Sequence, residues 1–146
     1  KGNGDAGNGS GGSYHPQVSE PGPEITLQRA YMNLKASRFE LAAEMLNAVI
    51  AGQPDNGAAR QYLGFCQLKL GAVDEAIASY LKAVELNGND FEAHRGLGVA
   101  YMIKARRADD PSFAAKAVEQ WQIALDINPA QANAQALHAM IKAYTE

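Results

Sequence analysis

The 146-residue chain has little of what builds disulfides, membrane spans or basic surfaces. It contains one cysteine, Cys66, so no disulfide can form within the chain. No stretch approaches the roughly 20 apolar residues that a membrane-spanning helix needs. The formal net charge is −3, and the longest basic cluster, at 104–107, is followed at once by two aspartates. These totals argue against nucleic acid as a partner and leave the cellular compartment open.

Residue patterns that support catalysis or metal binding are also scarce. His15, His94 and His138 lie far apart, and neither they nor Cys66 show a metal-ligand spacing. Positions 96–98, GLG, resemble half of a dinucleotide fingerprint but lie inside a helical pattern. No Ser/His/Asp set or carboxylate pair is recognisable. We therefore expect no enzyme activity, no cofactor, no metal site and no small-molecule substrate.

The first 23 residues differ in composition from the rest. Residues 1–13, KGNGDAGNGSGGS, are rich in glycine and have no large apolar side chain, and residues 14–24, YHPQVSEPGPE, contain three prolines. Such segments bury too little apolar surface to offset their ordering entropy. We expect 1–23 to be a flexible tether and 24–146 to be the folded domain. Since the chain begins with Lys1 rather than Met, we also expect an upstream segment.

From position 24 onward the apolar residues follow a helical period, and one phrase occurs three times, at 41–56, 75–90 and 116–131. Each copy has a small residue, a large residue four positions later and an apolar residue three beyond that. The three positions hold Ala42, Ala76 and Ala117, then Leu46, Tyr80 and Trp121, then Val49, Ala83 and Ala124. This spacing places them on one helical stripe.

A second helical segment precedes each phrase and contains a small residue: Ala30, Gly64 or Gly98. Small residues that face each other let two helix axes approach closely. The small residue lies twelve positions before the alanine of the phrase in the first two units, but nineteen before Ala117 in the third. Seven extra residues are close to two helical turns. We therefore expect a longer third hairpin, whose second helix begins at Pro111 with Asp110 as its cap.

The pattern resembles the tetratricopeptide repeat (TPR), which has a period of 34 and small, large and proline positions in this order. Residues 57–90 match best, 91–131 match with the seven-residue insertion, and 23–56 match mainly in their second half. The resemblance implies an all-α fold, a short α-solenoid of about three TPR helix hairpins plus a capping helix over 132–146. In the last segment, 131–146, we expect Ala136, Leu137, Met140, Ile141 and Tyr144 to face inward, and Gln131, Gln135, His138 and Lys142 to face outward.

TPR-like geometry implies a concave groove lined by the first helices. We expect its lining to include Leu27, Tyr31, Leu34, Gln61, Phe65, Leu68, Arg95, Val99, Met102, Ala136 and Met140. Exposed apolar patches of this extent usually mark a partner site, and aromatic residues and methionines suit an apolar or amphipathic helix or peptide. The alternative is that some of these side chains pack between the helices.

One known use of the family is not expected. TPR domains that clamp the C-terminal carboxylate of heat-shock chaperones carry Lys and Asn at defined groove positions. The corresponding positions here hold Leu27, Tyr31, Tyr62, Glu92 and Gly96.

Two functions remain open for such a module. A Gly/Asn/Ser-rich leader before a small TPR domain resembles bacterial TPR lipoproteins of the pilotin and Flp (Tad) pilus assembly type. That resemblance implies a lipid anchor upstream of Lys1, a periplasmic location at the inner leaflet of the outer membrane, and a secretin C-terminal segment as partner. The alternative is a soluble, cytoplasmic TPR adaptor, or a fragment of a larger scaffold, without a membrane tether. In a third arrangement the 14–23 segment of the same or a neighbouring copy occupies the groove.

Overall fold

The computed structural model of the protein describes residues 23–146, which form seven α-helices and no strand. The helices are α1 (Pro23–Lys35), α2 (Phe39–Gly52), α3 (Gly57–Lys69), α4 (Val73–Leu86), α5 (Phe91–Ala108), α6 (Pro111–Ile127) and α7 (Ala134–Thr145). This architecture confirms the expected all-α solenoid of three helix hairpins and a C-terminal helix. None of the described helices is both long and apolar enough to cross a membrane. The expected tether, and the 14–23 segment that could occupy the groove, lie outside the described residues except for Pro23.

Each helix packs against its neighbours in the chain, and two further contacts join alternate helices, α1 with α3 and α3 with α5. Hairpins stacked in this way place the first helix of every unit in one layer and the second helix in another. The layer of first helices, α1, α3 and α5, forms the surface described below as a groove.

The positions of the repeated phrase form the core. All three alanines are fully buried, and Leu46, Tyr80 and Trp121 are buried beside them. They belong to three clusters, one for each hairpin. Burial of a large apolar side chain stabilises a fold by about 1.5–3 kcal/mol, so these repeated positions contribute substantially to stability.

The small residues of the first helices accommodate the large ones of the second. A Cβ added at Gly64 would lie 3.0 Å from the Tyr80 ring, and one added at Gly98 would overlap the Trp121 indole. Ala30, at the same position of the first hairpin, is fully buried. The sequence predicted small residues that face each other, but the atoms nearest to Gly64 and Gly98 belong to the large Tyr80 and Trp121 rings. The prediction was therefore wrong about the facing residue, and the small residue provides room for the ring.

Caps and turns recur with the same period. Asn56 Oδ1 accepts a hydrogen bond from the Ala59 N–H at 3.0 Å, and 34 residues later Asp90 Oδ1 accepts one from the Ala93 N–H at 3.1 Å. Both begin a first helix, where such a side chain satisfies an otherwise unpaired backbone donor.

The third hairpin is longer than the others, as expected. Its helices have 18 and 17 residues, against 13 or 14 in the first two hairpins. Asp110 Oδ1 accepts the Ser112 N–H at 2.9 Å, and α6 begins at Pro111. In the added turns the Tyr101 and Phe113 rings stack at 6.2 Å, with the Lys116 ammonium 5.2 Å from the Phe113 centroid. The added turns of α5 and α6 therefore pack against each other.

Three expectations for the C-terminal helix and the turn before it were wrong. Ala136, expected to face inward, is exposed and lines the groove described below. Leu137 is buried as expected, but Tyr144 is 47% exposed because it lies in the last turn of α7, where its hydroxyl accepts a hydrogen bond from Arg106 at 3.4 Å. Gln131, expected to face outward, is only 6% exposed. Its Nε2 donates to the carbonyl oxygens of Ala124 and Asn128 at 3.0 Å each. Gln131 lies in the turn before α7, where helical periodicity does not apply.

Candidate functional site

A groove of about 520 Å³ lies among the first helices α1, α3 and α5 and the C-terminal helix α7. Several residues expected from the sequence line it: Tyr31, Leu34, Gln61, Phe65, Leu68, Arg95, Val99, Ala136 and Met140. They come from four helices that are distant in the chain. The solenoid therefore creates a shared apolar surface that no single helix provides.

Two residues expected in the groove lie elsewhere. Leu27 packs against the core cluster of the first hairpin. Met102 is 6% exposed and belongs to the core cluster around Trp121 and Leu137, while the next residue, Ile103, lines the groove. The longer third hairpin and α7 complete a core cluster that buries Met102. The residues at the same repeat position in the first two units, Leu34 and Leu68, line the groove instead.

Two half-exposed aromatic rings define the apolar centre of the groove. Tyr31 lies 5.2 Å from the Tyr62 ring at 41°, and Phe65 makes an edge contact with Phe39 at 6.0 Å. Such contacts hold the rings in place, which limits the side-chain entropy that a ligand would have to remove.

Burial, Tyr31 and Glu92 together raise the pKa of Tyr62 above its ordinary value, so its phenol stays neutral at physiological pH.

Tyr80 also reaches the groove, although it belongs to the second helix α4. Its hydroxyl passes the backbone of Gly96, where a Cβ would lie 2.6 Å away. Burial raises the pKa of Tyr80, and nearby Arg95 opposes that shift. Sequence reasoning missed this residue, because Tyr80 was assigned to the core stripe alone. The signal is Gly96, a glycine inside a helical segment, which leaves room for the Tyr80 side chain to cross α5 there.

Charged and polar side chains border the apolar centre on two sides. We call Lys35 and Lys69 the basic rim, because both lie in the last turn of a first helix, α1 or α3. We call Gln61, Glu92 and Arg95 the polar rim. Gln61 Nε2 donates to Glu92 Oε2 at 2.8 Å, and Lys69 Nζ lies 5.4 Å from the Phe65 centroid. The 34-residue interval between the two lysines could have indicated the basic rim from the sequence.

The residues considered for chemistry lie in structural positions. His94 is buried, with Nδ1 2.7 Å from Gln120 Oε1 and Nε2 2.9 Å from the Gly88 carbonyl oxygen, so it links α5 to α6 and to the α4–α5 turn. Cys66 is fully buried, and burial raises the pKa of its thiol to about 11. Among the side chains that the structure describes, those of residues 26–146, no group of three His, Cys, Asp or Glu is arranged to hold a metal ion.

Residues 67–103 match the family model described as TPR repeat, and this segment runs from the end of α3 into α5. A comparison with curated proteins finds no match. Among solved structures, the chain is similar to the TPR domain of Arabidopsis OM64, with 16% identity, a TM-score of 0.74, and 84% of this chain and 95% of that one covered.

Two further structures contain peptides. The first TPR of Spaghetti (RPAP3), bound to the HSP90 peptide SRMEEVD, matches with 15% identity and a TM-score of 0.72 over 85% of this chain and 94% of that one. The type III secretion chaperone SycD of Yersinia enterocolitica, in complex with a peptide of the translocator YopD, matches with 16% identity and a TM-score of 0.72 over 83% and 90%. The chain therefore has a TPR-like α-solenoid fold, and its central segment carries the repeat itself.

Proposed function

We propose that this protein is a non-enzymatic protein–protein interaction module that binds a partner peptide or helix in the groove between α1, α3, α5 and α7. The observation that carries the proposal is the convergence of half-exposed apolar side chains from separate hairpins on one concave surface. Tyr31 and Phe65 are 40% and 37% exposed there. Exposed apolar surface in a concave site is typical of partner binding.

The similar structures support this proposal at the level of the fold. Two of them hold peptides, one from HSP90 and one from YopD. The HSP90 peptide is not expected to be the ligand of this chain, because the positions of the lysine and asparagine cradle of a chaperone carboxylate clamp hold Leu27, Tyr31, Tyr62, Glu92 and Gly96.

A random peptide display library tests the proposal. Peptides selected on the wild-type protein are measured against Phe65→Glu, which places a charge in the apolar centre. Leu81→Glu is the matched control, since Leu81 is 43% exposed on α4 and does not line the groove, whereas Phe65 is 37% exposed within it. We expect binding to be lost in Phe65→Glu and kept in Leu81→Glu.

Tyr31→Glu is a second groove variant, on α1 instead of α3. Loss of binding in both variants would point to the shared groove, because a folding defect in one helix would not account for both. Circular dichroism verifies that the variants keep their helicity. Selected peptides that bind all the variants equally would show that the groove is not the binding site.

A narrower role, as a tethered assembly factor for a bacterial secretin, is supported only by the composition of residues 1–13. Those residues lie outside the described part of the chain, and neither the family match nor the similar structures add support. The coding sequence upstream of Lys1 tests it: a hydrophobic leader that ends in small residues and a cysteine would favour a lipoprotein. A continued helical repeat or an initiator Met there would favour the soluble adaptor.

A further inference from the structure

The groove differs in charge from the rest of the protein. The chain carries a net charge of −3, yet the ionised side chains that line the groove are three cations, Lys35, Lys69 and Arg95, and one carboxylate, Glu92. The ion pairs between described residues join Lys82 to Glu85 and Lys104 to Asp74, which lie outside this lining. The cations of the groove therefore have no carboxylate ion-pair partner within residues 26–146.

These cations are not distributed evenly. Lys35 and Lys69 are 34 residues apart and occupy the ends of two neighbouring first helices, so they lie along the same edge of the groove. Lys69 also lies over the Phe65 ring, which places its charge directly beside the apolar centre. On the opposite edge, Glu92 and Arg95 have opposite charges, and both are already hydrogen-bonded to glutamines. Only the basic rim presents charge of a single sign.

The lining also favours one form of ligand. It consists of helices whose backbone groups are bonded within each helix, so it offers no row of backbone donors and acceptors to an extended chain. An extended peptide could pair its backbone groups only with side chains of the lining, such as Gln61 and Asn133. A peptide helix satisfies its own backbone and presents an apolar face.

We propose that the groove binds an amphipathic peptide helix that carries acidic side chains along the flank facing Lys35 and Lys69. This inference rests on the proposed peptide-binding function and specifies its ligand. The apolar face of the peptide packs on Tyr31, Phe65 and Val99, and the acidic flank pairs with the basic rim. Charge complementarity of this kind contributes mainly to specificity.

The two rims also determine the direction of the ligand. A helix that lies across α1, α3 and α5 with its apolar face inward turns one flank to each rim. Reversing the peptide exchanges the flanks and moves its carboxylates from the lysines to Glu92. The rims therefore select one of two orientations that the apolar contacts alone would allow.

Two designed peptides of about 18 residues, or five helical turns, test the proposal. Both carry the same leucines and methionines on one face and differ only on one flank, which has glutamates in the first peptide and lysines in the second. Fluorescence anisotropy measures their binding to the full chain, to Lys35→Glu/Lys69→Glu, and to the matched control Lys82→Glu/Lys142→Glu. The control makes the same change in net charge at lysines that do not line the groove.

We expect the acidic peptide to bind the wild-type protein about tenfold more tightly than the basic one, because two exposed ion pairs replace two repulsions. The order reverses in Lys35→Glu/Lys69→Glu and is kept in the control. The difference shrinks between about 50 mM and about 500 mM salt, where screening is stronger.

Other outcomes separate this inference from the proposed function. Phe65-dependent binding with no preference between the peptides, or a preference unchanged in Lys35→Glu/Lys69→Glu, overturns the acidic ligand and leaves the groove as the binding site. Peptide binding that is unaffected by Phe65→Glu overturns both proposals, whereas no binding of either peptide overturns the acidic helix. A Phe65-dependent dimer in sedimentation experiments, without peptide binding, identifies a second copy as the occupant and also overturns the acidic ligand.

Discussion

The Tyr80 side chain of α4 crosses the backbone of Gly96 in α5, with its hydroxyl 2.6 Å from the position that a Cβ of residue 96 would occupy. The same ring lies 3.0 Å from the corresponding position at Gly64 of α3. One tyrosine is thus held between two first helices and contributes both to the core and to the groove lining. The contact couples the packing of the second and third hairpins to the shape of the candidate site.

We expect Gly96→Ala to destabilise the protein by about 1–3 kcal/mol, because the buried Tyr80 ring cannot move away without overpacking its neighbours. Urea denaturation measures the change in the free energy of unfolding. Gly52→Ala is the control, since it lies at the end of α2 with no atom within 4 Å of its added Cβ. Equal stability of the two variants would show that Tyr80 does not occupy this position.

Gln131→Ala removes the side chain that bonds the Ala124 and Asn128 carbonyl oxygens at the end of α6. We expect a loss of about 1–2 kcal/mol in the free energy of unfolding, since buried hydrogen-bonding groups lose their partner. Hydrogen exchange in α7 should become faster, because the turn before this helix is less constrained. Gln122→Ala deletes an exposed hydrogen bond to Asp126 within α6 and should stay within about 0.5 kcal/mol of the wild type. Indistinguishable effects of the two substitutions would contradict the buried position of Gln131.

Asp110 gives the third hairpin a pH-dependent cap. The hydrogen bonds from Ser112 lower the pKa of the Asp110 carboxyl below its usual value of 3.8. Because the folded-state pKa is depressed, its contribution to stability is present above that unfolded value and is lost as the pH falls through the folded pKa. We expect Asp110→Asn, which keeps a capping oxygen, to melt below the wild type at pH 7 and to approach it in acid.

Melting temperatures of the wild type, Asp110→Asn and Asp110→Ala at neutral and acidic pH measure this effect. Asp109→Asn is the control, because it removes a neighbouring charge from a side chain that does not cap α6. If Asp110→Asn melts like the wild type at both pH values, the carboxylate is not acting as a charged cap.

The repeat, the hairpins and the longer third unit could be predicted from the sequence because they depend on local periodicity. Ala42, Ala76 and Ala117 recur in register with Leu46, Tyr80 and Trp121, and a stripe with this spacing is buried whenever the helices stack. Asp110 and Pro111 carry a capping signal that needs no tertiary information. Most of the residues expected in the groove line it, because they follow from the same register.

Only the tertiary structure decided which side chains of equal periodicity face the groove and which face the core. Met102 has the repeat position of Leu34 and Leu68, yet the longer third hairpin and α7 enclose it, and Ile103 lines the groove instead. Gln131 is polar and precedes α7, yet the end of α6 supplies two buried carbonyl oxygens that it satisfies. In both cases the environment comes from helices distant in the chain, whose positions a local pattern does not specify.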